Sequence, residues 1–160
     1  MPPMPGEALL LAIASIAAII AGFTAVTAAL TPPGGSWSQI HRIRQRAIVS
    51  TSFNVVFEAL LPVIAFVWLA DAQQAVVLSS AVVALYAGWI VVTRGRQLYR
   101  AGGLRTWGGR LLFVPGITAL LLFAVNALVF GSVAVYAVAL CIQLSVAVIS
   151  FYQLVAASTG

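Results

Sequence analysis

Between Arg46 and Asp71 the chain reads AIVSTSFNVVFEALLPVIAFVWLA, residues 47–70, with Glu58 as its one ionisable side chain. A helix needs about 20 predominantly apolar residues to cross roughly 30 Å of hydrocarbon, and this stretch is long enough. Arginines flank one end, an acid marks the other, and a carboxyl sits in the middle. Those three features set orientation, fold and candidate chemistry.

Working outward, four more segments meet the same length criterion: residues 8–30, 75–93, 111–130 and 133–157. The first ends at Thr31-Pro-Pro-Gly-Gly35, a strong helix stop. Only Gly131-Ser132 separates the last two, so they must form a tight antiparallel hairpin, and Asp71-Ala-Gln-Gln74 makes a similar turn. The expected fold is an all-α integral membrane protein, a bundle of five transmembrane helices in a single membrane domain over residues 1–160.

Composition agrees. Of 160 residues, 62% are hydrophobic and 7% charged, and the mean hydropathy is +1.10. Soluble domains carry about 25% charged residues. A chain this poor in charge cannot cover a water-facing surface.

The net charge of +5 is distributed unevenly. All eight basic residues are arginines: Arg42, Arg44 and Arg46 in residues 31–46, and Arg94, Arg96, Arg100, Arg105 and Arg110 in residues 94–110. The opposite side offers Glu7, Asp71 and Gly131-Ser132, with no basic residue. The positive-inside rule therefore predicts the N-terminus outside, the C-terminus cytoplasmic and one topology rather than two. The arginines are expected to touch anionic lipid headgroups rather than nucleic acid. Trp37, Tyr99, Trp107 and Tyr152 fall near the same interface and Trp68 near the other, the depth amphipathic rings prefer. Residues 36–46 read as an interfacial turn or an extension of the second helix. Gly95, Gly102, Gly103, Gly108 and Gly109 predict irregular backbone in the second loop.

The N-terminal segment lacks a basic region, and the apolar run after it exceeds a signal-peptide core, so it reads as a retained span. Within it Ala14, Ala18 and Gly22, and likewise Ala17, Ala21, Ala25 and Ala29, lie four apart, a spacing that permits close helix packing. Cys141 is alone, so no intramolecular disulfide forms, and a small apolar packing role is expected. His41 stands among arginines as a solvated side chain.

Glu58 carries the candidate chemistry. Acids at mid-bilayer are rare, face the protein interior or water, and mark function by default. An unpaired carboxylate there costs too much, so pairing or neutralisation is expected. Asn54 lies one turn away on the same face. Pro62, at i+4, removes the amide that would bond the Glu58 carbonyl, so an unpaired backbone oxygen is expected at this depth. Counting from helix ends puts Tyr86, Thr118 and Gln143 at the depth of Glu58, as an ion- or proton-binding layer. Asn126 and Tyr136 form a second, shallower pair. Pro62 and Pro115 are the expected helix kinks, the latter followed by Gly116.

No HExxH, paired intramembrane acids or Ser/His pair is present, so neither an enzyme, a cofactor nor a metal site is expected. The reading that follows is a homo-oligomeric channel or transporter with Glu58 binding a cation or proton. The competing reading is a non-transport scaffold or accessory subunit of a larger membrane complex. The plan resembles small prokaryotic multi-span proteins, which implies the plasma membrane and carries no site residues.

Overall fold

The computed structural model describes residues 3–29, 39–100 and 107–156, with the side chains of residues 3–26, 48–93, 96 and 114–152. Over that range the chain is helical and contains no strand. The order is α1 (Glu7–Ala29), α2 (Gln39–Leu69), α3 (Ala72–Arg100), α4 (Trp107–Val125), a π-helical turn (Asn126–Phe130) and α5 (Val133–Ala156). Four stretches are long and apolar enough to cross a membrane: Glu7–Val26, Ile48–Leu69, Ala72–Thr93 and Val133–Tyr152. The apolar stretch of α4 with its π-helical turn, Val114–Phe130, is shorter.

Residues 39–46 follow one of their two expected readings, and residues 94–100 and 107–110 are more helical than expected. α2 begins at Gln39, so residues 39–46 extend that helix. α3 runs through Gly95 to Arg100, and α4 already includes Gly108 and Gly109. An isolated glycine costs a helix only about 1 kcal/mol relative to alanine, too little to end one that is anchored elsewhere. Gly102 and Gly103, Trp37, and the side chains of Arg42, Arg44, Arg46, Arg94, Arg100, Arg105 and Arg110 lie outside the described residues, as do those of His41, Tyr99 and Trp107. Arg96 is exposed.

The exterior is apolar: Trp68, Leu85 and Leu128 are 83%, 77% and 84% exposed. Water would penalise such a surface, whereas hydrocarbon suits it. Cys141 stands on this exterior too, not in the core.

α1 packs on α2 and, less extensively, on α5. Its buried face is Leu10, Ile13, Ala14, Ala17, Ala21 and Thr24, the spacing of one helical stripe. The expected small-residue rows are therefore divided. Ala14, Ala17 and Ala21 face inward, while Ala18, Gly22 and Ala25 are exposed, and nothing stands within 4 Å of where a Gly22 Cβ would be.

Two tight turns set the depth of the remaining helices. α2 ends at Leu69 and Ala70 takes φ +54°, a left-handed conformation unusual for alanine. Asp71 then caps α3, its Oδ1 accepting the Gln74 amide at 3.0 Å. The α4–α5 turn relies on Gly131 at φ +56°. A Cβ there would lie 2.9 Å from Gln73 Cγ and 3.0 Å from Val77 Cγ2. The hairpin tip thus sits level with the first turns of α3, recessed below the α2–α3 turn. Asn126 secures it. Its Oδ1 accepts the Ser132 amide at 2.9 Å, its carbonyl accepts the Gly131 amide at 2.8 Å, and its Nδ2 donates to Ser80 Oγ at 2.9 Å.

Candidate functional site

Glu58 lies twelve residues beyond Arg46 and eleven before Leu69 on α2, so each of these is about 17 Å away along the axis at 1.5 Å per residue. Helical side chains lean toward the N-terminus of their helix, and carbonyls point toward the C-terminus. Glu58 consequently turns its carboxyl toward the arginine-bearing end of α2 and its backbone oxygen toward the other. The two groups meet different surroundings.

The backbone oxygen meets a sealed half. Pro62 lies inside α2 and supplies no amide to it, but the helix continues unbroken. The oxygen left over is not open to a ligand, which corrects the expectation from sequence: the Tyr136 hydroxyl of α5 donates to it at 2.7 Å. Tyr136 is fully buried, its ring edge-on to Phe123 of α4 with centroids 5.1 Å apart. Val76, Val83, Phe123 and Leu140 are at most 1% exposed and fill this half with the tyrosine. Tyr136 and Asn126, expected as a pair, thus serve different groups.

The carboxyl meets a cavity. Gln143 Nε2 of α5 donates to Glu58 Oε1 at 3.2 Å. Glu58 is 4% exposed, and its Oε2 and the Gln143 Oε1 are both buried without a hydrogen-bond partner. Beside them opens a cavity of about 140 Å³ between α2, α3, α4 and α5, lined by Thr51, Asn54, Tyr86, Gly116 and Ala119 among others. On each helix the lining residues lie level with Glu58 or nearer the arginine-bearing end: 51, 54 and 58 on α2, 86, 87, 90 and 91 on α3, 116 and 119 on α4, 143 and 146 on α5. The cavity therefore lies on the arginine-bearing side of the carboxyl and does not extend past it. Across the cavity Tyr86, 42% exposed, donates to Asn54 Oδ1 at 3.4 Å, a long and weak bond.

Asn54, expected from its helical spacing, and Tyr86 and Gln143, expected from depth, share this cavity with Glu58. Thr118 does not. It is exposed and its hydroxyl donates to the Val114 carbonyl of its own helix at 3.0 Å. It neighbours the lining residue Ala119, and a one-residue step of 100° turns it outward. Pro115 lies inside α4 without ending it, and Gly116, next in sequence, opens the cavity wall because it has no side chain. Tyr136 and Phe123 are the residues the sequence did not assign to this site. Pro62 was the usable signal, since a carbonyl it orphans inside a packed bundle requires a donor.

Two buried acceptor oxygens without a donor are an unsatisfied arrangement. A proton on the carboxyl, or a cation seated against it, supplies what they lack. Set against known protein families, curated proteins and solved structures, the chain matches none.

Proposed function

We propose that this chain is a five-span membrane protein of the plasma membrane that moves protons or a monovalent cation. Glu58 binds the cargo, and Gln143 positions its carboxyl. In this reading α4 with its π-helical turn is the fifth span, and the arginine-bearing end lies in the cytoplasm, where the positive-inside rule puts it. The conformation described is then the one open to the cytoplasm, with Tyr136 and Phe123 closing the far side. The observation that carries the reading is the one-sided cavity ending at a buried carboxyl with an unpartnered oxygen. Charged groups at membrane depth face protein or water and mark ion pathways and proton relays.

A purely structural acid, as in a scaffold or accessory subunit, would be closed in by partners on all sides. Here one carboxyl oxygen has none. Four helices of a single copy enclose the site, so a homo-oligomer would multiply such sites rather than create one. The test is proton and cation flux in proteoliposomes. The parent should dissipate an imposed pH or cation gradient, and Glu58→Gln, which keeps the shape but cannot exchange a proton, should fold and lose that flux. Equal flux in parent and variant refutes the assignment.

A further inference from the structure

We infer that the cavity ending at Glu58 is a binding site for a small organic ammonium ion with an apolar body. This deepens the reading of Glu58 as a cation-binding group and rests on it.

Size, wall chemistry and polar pattern point to the same ligand. The volume, about 140 Å³, is on the order of the engineered apolar cavity of about 150 Å³ that accepts benzene. Much of the wall is apolar, formed by Ala87, Ile90 and Val91 of α3, Ala119 of α4 and Val146 of α5, with Thr51, Asn54 and Tyr86 adding polar side chains. The buried end offers two acceptor oxygens without partners, Glu58 Oε2 and Gln143 Oε1. Two acceptors suit the N–H groups of an ammonium head, while the apolar walls suit a hydrocarbon body. Tyr86 adds an aromatic ring to the lining, a group whose face attracts cations.

The charge requirement is specific. A neutral molecule of the same shape leaves the carboxylate unpaired, and an anion is repelled by it. When the carboxyl is protonated, the ammonium ion displaces that proton to the aqueous side, so one proton leaves for each ammonium bound. Among the described residues, the titratable groups that face Glu58 are Tyr136 of α5, on its backbone oxygen, and Tyr86 of α3, across the cavity. α4 presents Gly116 and Ala119, and α1 does not line the cavity. No second acid lies there to take over the exchange.

The experiment uses the full chain in lipid nanodiscs, with benzylammonium chloride as the probe and benzyl alcohol and sodium benzoate as its neutral and anionic counterparts. Isothermal titration should give saturable benzylammonium binding that strengthens as pH rises and releases a proton. Benzyl alcohol and benzoate should bind at least tenfold more weakly. Glu58→Gln should weaken benzylammonium at least tenfold, and Ala87→Leu, which narrows the cavity at a wall position, should do so while leaving the carboxyl in place. Equal binding of benzyl alcohol, or benzylammonium binding indifferent to Glu58→Gln, overturns the inference. If Glu58→Gln abolishes proton flux while benzylammonium never binds, the ligand class is wrong and the proton reading stands. If binding depends on Glu58 but flux does not, the ligand class stands and the transport reading falls.

Discussion

Replacing Tyr136 with phenylalanine removes one hydroxyl from the sealed half of the bundle, and its cost should depend on Pro62. The ring stays in place against Phe123, so the change isolates the 2.7 Å bond to the Glu58 carbonyl. A buried carbonyl left without a donor costs about 1–3 kcal/mol. Hydrogen bonds between membrane helices average about 0.6 kcal/mol and reach about 1.7 kcal/mol. A short bond from a fully buried tyrosine to an oxygen with no helical partner belongs near the upper end, so Tyr136→Phe should lose about 1.5 kcal/mol. In a Pro62→Ala background the residue 62 amide can bond the same oxygen, and the loss should fall to about 0.5 kcal/mol. The coupling in this double-mutant cycle is then about 1 kcal/mol, well above the few tenths expected of independent sites. Reversible unfolding by SDS in mixed micelles measures all four variants. An equal loss in both backgrounds refutes the claim that Tyr136 replaces the amide that Pro62 lacks.

The two turns give opposite signs by the same physics. Gly131→Ala should destabilise by about 1–2 kcal/mol, because a left-handed alanine is strained and its Cβ would press on Val77 Cγ2 at 3.0 Å; thermal unfolding in detergent reads the loss. Ala70→Gly should stabilise by about 0.5–1 kcal/mol in the same assay, since Ala70 is exposed and already left-handed, so strain is relieved and no packing is lost.

The fold was largely legible because apolar run length and turn chemistry report directly on helices in a chain this hydrophobic. Residues 47–70 fall within α2, and Gly131-Ser132 is the two-residue hairpin turn between the π-helical turn and α5. Run length says nothing about how far a helix continues past the apolar stretch, so it does not separate an interfacial turn from the extension of α2 over residues 39–46, and it ends α3 seven residues short of Arg100. Depth counting placed Gln143 and Tyr86 level with Glu58 because all three sit on long helices near mid-length, and Asn54 followed from its position one turn away on the same helix. It misplaced Tyr136 because it assumed that helix ends lie level. The recessed α4–α5 hairpin, packed on Gln73 and Val77, carries Tyr136 deeper than its position three residues into α5 suggests. It also cannot fix rotation, and a single 100° step separates lining Ala119 from outward Thr118. The open carboxyl and capped carbonyl of Glu58 depend on helix direction, which follows from topology rather than from composition.

The central claim is that Glu58 is reached by water from the arginine-bearing side and from no other. Cys141 is exposed, so the background is Cys141→Ala, into which Glu58→Cys is placed and the protein reconstituted in oriented vesicles. A membrane-impermeant cationic thiol reagent is then applied to one side at a time. The account predicts modification from the side bearing residues 39–46 and 94–100, and none from the side of the Gly131-Ser132 turn. Modification from the turn side alone, or from neither side in a folded protein, contradicts it.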